Sequence, residues 1–252
     1  MTTNTPEAPL PVGNAPADPL AADHASAAPL AADHASAAPL TAGNTPADPL
    51  TVGFDLDLTL LDTRPGIKAA FTVFSETYGV EVDADLVVSR LGPPLEQEMA
   101  HWVPAEQVTE MTARYRALYP EHAIEPTVPM PGARDALDAV REAGGRTIVV
   151  TAKNAPDARR HFAHLGIEPD AVVGRLFAEA KAEALRAHGA SVYVGDHVGD
   201  VRGAKAAGAL SVAVATGPCA PDELREAGAD VVLEDLTDFR AWWEAYVART
   251  AR

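Results

Sequence analysis

The sequence predicts an α/β protein with a doubly wound parallel sheet, an inserted small all-helical domain and a disordered N-terminal tail. Three observations support this prediction. Short β-branched runs alternate with helical stretches from residue 51 onward, the alternation stops between residues 65 and 128, and residues 1–50 differ in composition from the rest. Strands that alternate with helices imply parallel crossovers, and these build an open sheet with helices on both faces.

The elements of the sheet domain follow one another along the chain. Six strands are expected at 51–56, 146–151, 170–173, 191–195, 210–215 and 230–233. Five helices are expected at 155–165, 179–188, 199–207, 221–227 and 236–249. Glycines fall at or just beyond the ends of the first four helices, where a left-handed C-terminal cap is common. These glycines therefore indicate where each helix stops.

A helical module is predicted at 65–128, between the first two strands of the sheet. Its helical stretches lie around 66–78, 84–90, 94–101 and 105–118, and no strand is expected among them. Proline- and glycine-containing flanks on both sides are typical of a hinge pair. The core domain then consists of residues 51–64 and 129–252. An insertion beside the first strand can cover a site, exclude water and select substrates.

Residues 1–50 are predicted to form a low-complexity, disordered tail. They contain no Lys or Arg, and a ten-residue block at 21–30 recurs unchanged at 31–40. Recurrent proline interrupts helices, and few large apolar side chains are present to offset the entropy lost on folding. A start site assigned too far upstream is an alternative explanation of this segment.

Composition narrows the class of protein. The net charge of −16 argues against nucleic acid or an anionic membrane as a partner. No stretch approaches the ~20 apolar residues of a membrane helix, and the N-terminus lacks the features of a secretory signal. The single cysteine, Cys219, excludes an internal disulfide and a multi-cysteine zinc site. We therefore expect a cytoplasmic protein acting on a small molecule, while its oligomeric state stays open.

Acidic and hydroxyl residues follow three of the predicted strands, and a lysine lies at the start of one predicted helix. Open parallel sheets bind ligands at the carboxyl ends of their strands. Four carboxylates repel one another, so their close approach implies a cation between them, and a set of oxygen ligands favours Mg²⁺. Two close acids can act as nucleophile and proton carrier, so the set indicates phosphotransfer. The residues are Asp55, Asp57, Thr151, Lys181, Asp196 and Asp200.

This ordered set resembles the haloacid dehalogenase-like superfamily of aspartate-nucleophile phosphotransferases over about residues 51–235. Residues 55–59, Asp-Leu-Asp-Leu-Thr, match the first family motif, and residues 195–200, Gly-Asp-His-Val-Gly-Asp, match the fourth. Thr151 matches the second motif and Lys181 the third. The inserted helices resemble the helical cap of the family.

The stretches 61–67 and 90–95 are most similar to the phosphoglycolate phosphatase-like branch. The sequence also departs from the family pattern at two positions. Ala152 follows the second-motif Thr where Asn is common, and Ala182 follows the third-motif Lys where Pro is common. Neither departure removes a reacting group, but both bear on the phosphate pocket and the substrate range.

The resemblance implies a phosphatase that hydrolyses a small phosphate monoester. Asp55 is then the nucleophile and forms an aspartyl-phosphate. Asp57 protonates the leaving group and later accepts a proton from water. Thr151 holds the phosphoryl oxygens, while Lys181 offsets negative charge on Asp55 and on the phosphate.

The resemblance also implies a Mg²⁺ site and leaves alternatives open. The implied ligands are Asp55, the main-chain carbonyl of Asp57, and Asp196, with Asp200 acting through water or as a support. A phosphomutase of the β-phosphoglucomutase type would use the same acids. A receiver-like phosphoacceptor switch fits less well, because receivers lack an inserted cap. Phosphoglycolate, sugar phosphates, nucleotides and pyrophosphate all remain candidate substrates.

Overall fold

The computed structural model describes residues 50–250, so all but the last residue of the tail predicted at 1–50 lies outside the described residues. The main sheet has six parallel strands, and its order is β5-β4-β1-β6-β7-β8. This order places the first strand in the middle, with later strands added first on one side and then on the other. The six strands are β1 (Thr51–Phe54), β4 (Arg146–Val150), β5 (Ala171–Val173), β6 (Ala190–Gly195), β7 (Leu210–Val214) and β8 (Val231–Leu233).

Two further strands are very short and pair with each other. They are β2 (Leu61–Asp62) and β3 (Val128–Pro129), which run antiparallel. This pair lies where the chain leaves the sheet domain and where it returns, so it brings the two ends of the insertion together. Neither strand was predicted, because two residues are too few to show an alternating pattern.

Helices of the insertion lie between these two short strands. They pack around an apolar cluster of their own, in which the Phe71 and Tyr115 ring centroids are 4.2 Å apart. The helices are α1 (Arg64–Tyr78), α2 (Ala84–Val88), α3 (Leu95–Met99) and α4 (Val108–His122), with a 3₁₀ turn at Ala105–Gln107. The insertion therefore has its own core, as predicted for a helical module. The exact domain boundaries stay a prediction.

The remaining helices flank the sheet. A large cluster of buried side chains, including Val52 and Phe54 of β1, packs between the sheet and several of these helices, among them the C-terminal helix. Those helices are α5 (Ala133–Glu142), α6 (Ala155–Leu165), α7 (Lys181–Ala187), α8 (Val198–Ala207), α9 (Pro221–Glu226) and α10 (Phe239–Thr250). Short 3₁₀ turns lie at Ala178–Ala180 and Leu236–Asp238.

The predicted α/β fold with its helical insertion is confirmed, with differences in detail. Helix α5 was not predicted, although its buried residues Ala133, Ala136, Leu137 and Val140 follow helical spacing. Strand β1 ends at Phe54, two residues earlier than predicted, because the chain leaves the sheet at Asp55. None of the helices between residues 50 and 250 has both the length and the apolar character that crossing a membrane requires.

Candidate active site

Two neighbouring strands deliver the central acids of the site. Asp55 directly follows β1 and Asp196 directly follows β6, and these strands pair in parallel. The Asp55 amide also donates a hydrogen bond to the Val194 carbonyl at 2.8 Å. The sheet changes its direction of growth at β1, and open sheets bind ligands outside the carboxyl ends of their strands at such a point. The predicted placement of these acids is therefore observed.

Three buried carboxylates converge at this point. Asp55, Asp196 and Asp200 each offer one oxygen, and these oxygens lie within 4.8 Å of one another. The residues are only 7%, 2% and 4% exposed, respectively. The Thr59 hydroxyl donates a hydrogen bond of 2.7 Å to Asp196 Oδ1, so the last residue of the first motif orients an acid of the fourth.

Burial and mutual repulsion perturb these acids. Burial, opposed by Lys181 and reinforced by Asp200, raises the pKa of Asp55 to about 7. Burial, followed by the charges of Asp200 and Asp55, raises the pKa of Asp196 well above its ordinary value. Carboxylates buried together favour the protonated form unless a cation lies beside them. Full ionisation of this cluster therefore requires added positive charge.

Lys181 supplies part of that charge. It begins α7, is 1% exposed, and its Nζ lies 2.6 Å from Asp200 Oδ1 and 3.2 Å from Asp55 Oδ1. Burial acts to lower the pKa of Lys181, but Asp200 and Asp55 together hold it above its ordinary value. Nζ also donates a hydrogen bond of 2.8 Å to the Tyr193 hydroxyl, which donates in turn to the Val150 carbonyl. Lys181 is thus fixed as a charged group inside the cluster.

The cluster fits a divalent cation. Asp55 Oδ1 is buried without a hydrogen bond, because its contact with Lys181 is an ion pair that lacks hydrogen-bond geometry. Backbone packs tightly against the other two acids: a Cβ at Gly217 would lie 1.8 Å from Asp196 Oδ2, and one at Gly195 would lie 2.4 Å from the Asp200 carboxylate. Carboxylate oxygens suit hard cations such as Mg²⁺ and Ca²⁺.

The Asp57 carboxylate is not part of this cluster. Its Oδ1 accepts a hydrogen bond of 2.5 Å from the Thr63 hydroxyl and lies 3.1 Å from Lys153 Nζ. The backbone turns sharply just after it, since Leu58 adopts a left-handed φ of 59°. In an extended strand, residues two apart point the same way, but here the carboxylates of Asp55 and Asp57 have different partners.

Thr151 lies at the carboxyl end of β4, which pairs with β1. It is 1% exposed, and its hydroxyl accepts a hydrogen bond of 3.2 Å from the Lys153 amide. The side chain is therefore held beside the loop that carries Lys153. Its predicted role in holding a phosphoryl group stays a prediction.

Sequence reasoning missed a polar chain that links the insertion to the core domain. Lys153 Nζ donates a hydrogen bond of 2.8 Å to the Tyr119 hydroxyl, which lies 3.0 Å from His161 Nε2. Tyr119 belongs to α4 and His161 to α6. Burial, reinforced by Lys153, lowers the pKa of His161 to about 3, so this ring is neutral. The proximity of Lys153 to the second motif was the one signal that pointed to this chain.

A cavity of about 90 Å³ lies between the insertion and the core domain. Asp57, Lys153 and Asn154 line it from the core side, while Phe71 and Tyr115 are among its residues from the insertion. Asp57 therefore faces a space that the helical insertion covers.

Comparisons with known proteins identify the family. The model of the family described as haloacid dehalogenase-like hydrolase matches residues 52–214. The match spans more than half of the chain and includes the residues of all four motifs. The chain therefore belongs to the haloacid dehalogenase-like hydrolases, and the predictions of this family and of an enzyme are confirmed.

Individual relatives agree with this assignment. The chain is 31% identical over 198 residues to the tyrosine-protein kinase PtkA of Mycobacterium tuberculosis, a match covering 73% of this chain and 68% of that protein. It is 28% identical over 206 residues to the phosphoglycolate phosphatase of Caulobacter vibrioides, covering 73% and 86%, respectively.

A solved structure supports the same fold. The haloacid dehalogenase-like hydrolase SP0104 from Streptococcus pneumoniae superposes with a TM-score of 0.69 at 26% identity. That superposition covers 77% of this chain and 98% of the other. The similarity therefore includes the helical insertion as well as the sheet domain.

Proposed function

We propose that this protein is a Mg²⁺-dependent phosphatase that hydrolyses a small phosphate monoester through an aspartyl-phosphate on Asp55. The convergence of Asp55, Asp196, Asp200 and Lys181 at the switch point of the sheet carries the proposal. Relatives named as a phosphatase and as a kinase support phosphoryl transfer as the type of reaction. Catalysis of this kind depends mainly on positioning and charge neutralisation.

The first half of the proposed reaction forms the covalent intermediate. A carboxylate oxygen of Asp55 attacks phosphorus while the bond from phosphorus to the ester oxygen breaks. Asp57, as a carboxylic acid, gives its proton to the departing oxygen. Lys181, 3.2 Å from Asp55 Oδ1, reduces repulsion between the nucleophile and the phosphate. The Thr151 hydroxyl donates a hydrogen bond to a phosphoryl oxygen.

The second half returns the enzyme to its starting state. Asp57, now a carboxylate, takes a proton from a water molecule as that water attacks phosphorus. The bond between phosphorus and Asp55 breaks, and inorganic phosphate leaves. The contacts of Asp57 with Thr63 and Lys153 support this role, because they hold its carboxylate at the cavity and outside the acid cluster.

Mg²⁺ would be held by Asp55 and Asp196, by the main-chain carbonyl of Asp57, and by Asp200 directly or through water. When bound, it would neutralise negative charge on the phosphate and on the acids. Asp55 Oδ1 is buried, accepts no hydrogen bond and lies 3.2 Å from the Lys181 ammonium, which supports a place for further positive charge beside it.

Phosphate release from phenyl phosphate in the presence of Mg²⁺ tests the proposal. The wild-type protein should release inorganic phosphate, and Asp55→Asn should lower kcat by at least roughly 10³-fold, because loss of a nucleophile disables the whole set. Glu234→Gln, which changes an exposed acid, is the matched control and should keep full activity. Unchanged turnover in Asp55→Asn would contradict the nucleophile, and isomerisation of a sugar phosphate without net phosphate release would favour a mutase instead.

A further inference from the structure

The cavity that Asp57 faces is where the proposed reaction would place the leaving group of the substrate. Most of its lining from the insertion is apolar, and two of these side chains, Phe71 and Tyr115, pack ring against ring. A lining of this kind favours an apolar group over a hydrated one. Its apolar residues from the insertion include Ile67, Phe71, Val87, Leu91, Leu95 and Tyr115.

The net charge of the insertion also disfavours an anionic leaving group. Residues 64–128 contain ten Asp or Glu and five Lys or Arg, which gives a net charge of −5. Each of the five cations forms an ion pair with an acid next to it in the fold. The pairs are Arg64–Asp62, Lys68–Asp85, Arg90–Glu98, Arg114–Glu110 and Arg116–Glu96.

Two cations reach the cavity lining, and both are already paired. Arg116 lies 2.8 Å from Glu96 Oε1, and Lys153 lies 3.1 Å from Asp57 Oδ1. Glu98 also lines the cavity, where Arg90 and the Trp102 indole N–H both bind it at 2.7 Å. Within residues 50–250, a second anionic group in this cavity would therefore meet carboxylates before it met an uncommitted cation.

The size of the cavity limits the leaving group further. Its volume of about 90 Å³ is well below the roughly 300 Å³ at which pockets for drug-sized ligands begin. The enclosed part of this space is of a size that suits a single ring or a short chain.

We infer that the substrate is a phosphate monoester of a small, uncharged, apolar alcohol or phenol. Substrates whose leaving group carries a second anionic group, such as the ester phosphoglycolate or the anhydride pyrophosphate, are disfavoured. This inference rests on the proposed phosphatase function and concerns the leaving group alone. Arg116 acts here through its pairing with Glu96, since Glu96 competes with a substrate carboxylate for the guanidinium.

Hydrolysis of two matched esters by the full-length protein with Mg²⁺ tests the inference. Benzyl phosphate and 4-carboxybenzyl phosphate differ in one carboxylate that lies far from the reacting oxygen. We expect kcat/KM to be at least tenfold higher for benzyl phosphate, and higher for benzyl phosphate than for phosphoglycolate. An equal or higher kcat/KM for either carboxylated ester would overturn the inference while leaving the phosphatase function intact. Absence of phosphate release from every ester would overturn the proposed function, and this inference with it.

Glu96→Gln tests the reason for the preference. The change frees Arg116, so kcat/KM for 4-carboxybenzyl phosphate should rise several-fold while that for benzyl phosphate stays the same. Glu106→Gln removes the same charge from an exposed position of the insertion and leaves the Arg116–Glu96 pair in place. An equal effect of the two variants would refute the assigned role of the Arg116–Glu96 pair.

Discussion

Replacing Asp196 by Asn separates the electrostatic cost of the buried acids from their proposed use as cation ligands. Asp196 is 2% exposed, and burial with the charges of Asp200 and Asp55 raises its pKa well above the ordinary value. Asn keeps the shape of the side chain, and its carbonyl can still accept the hydrogen bond from Thr59. We expect Asp196→Asn to be more stable than the wild type without metal, yet to gain no stability from Mg²⁺.

The pH dependence gives this prediction a sign. Consider an acid whose pKa is higher in the folded than in the unfolded state. Its contribution to stability falls as pH rises above the unfolded-state pKa, because the unfolded chain then releases the proton more readily than the folded protein does. The wild type without metal should therefore lose stability as pH rises from the ordinary Asp value of about 4 toward the raised pKa of Asp55, about 7. Asp196→Asn lacks this contribution, so its advantage over the wild type should grow across the same range.

The size of the metal effect follows from mass action. A ligand at a hundredfold excess over its Kd stabilises the folded state by about 2.7 kcal/mol. One kcal/mol shifts the Tm of a domain of this size by about 2–4 °C, so Mg²⁺ should raise the wild-type Tm by about 5–11 °C.

Thermal melts followed by circular dichroism, in EDTA and in excess MgCl₂, measure both effects. Glu234→Gln is the control, because it removes one negative charge from an exposed position. It should keep the full Mg²⁺ shift of the wild type. The reasoning fails if Asp196→Asn keeps that shift, or if it is less stable than the wild type in EDTA at pH 8.

Three further predictions concern the residues around the cluster. Lys153→Met should lower kcat for an alkyl phosphate by about 10²-fold. The loss should be much smaller for 4-nitrophenyl phosphate, because its leaving group needs less help from Asp57. Equal losses for the two esters in steady-state assays would show that Lys153 does not position Asp57. His161→Gln should gain stability relative to the wild type as pH falls below 6.5, because the buried ring, with a pKa of about 3, cannot take the proton that the unfolded chain takes, a difference of at most about 1.4 kcal/mol per pH unit; an unchanged stability difference between the two proteins in denaturant titrations at pH 7 and pH 5 would contradict this. Gly217→Ala should weaken the Mg²⁺ shift of Tm, because its Cβ would lie 1.8 Å from Asp196 Oδ2 and displace that carboxylate. An unchanged shift would contradict this prediction.

The acid cluster could be predicted because the topology of the sheet largely determines where its acids lie. A β-branched run before each acid predicts a buried strand, and parallel strands end at the same edge of a sheet. Asp55 and Asp196 therefore had to lie close together once β1 and β6 were neighbours. Lys181 joins them because α7 begins beside this edge, where its ammonium reaches both Asp55 and Asp200.

Contacts between separate elements could not be predicted in this way. Asp57 lies outside the cluster and contacts Thr63 and Lys153 instead, and a left-handed residue such as Leu58, which follows it, cannot be predicted from a Leu. Tyr119 and Lys153 are 34 residues apart in the chain, and their contact depends on how α4 lies over the core domain. The ion pair of Arg116 with Glu96 likewise depends on the packing of α3 against α4. Helix α5 is a different case, since its buried residues follow a helical spacing that is visible in the sequence.

Trapping the covalent intermediate tests the central claim most directly. Asp57→Asn should slow hydrolysis of the aspartyl-phosphate, while 4-nitrophenyl phosphate still phosphorylates the enzyme because its leaving group needs no acid. Borohydride reduces an acyl phosphate to an alcohol, so mass spectrometry of the treated variant should find homoserine at position 55, dependent on substrate. Modification at another residue, or continued release of nitrophenol with Asp55 unmodified, would contradict the account.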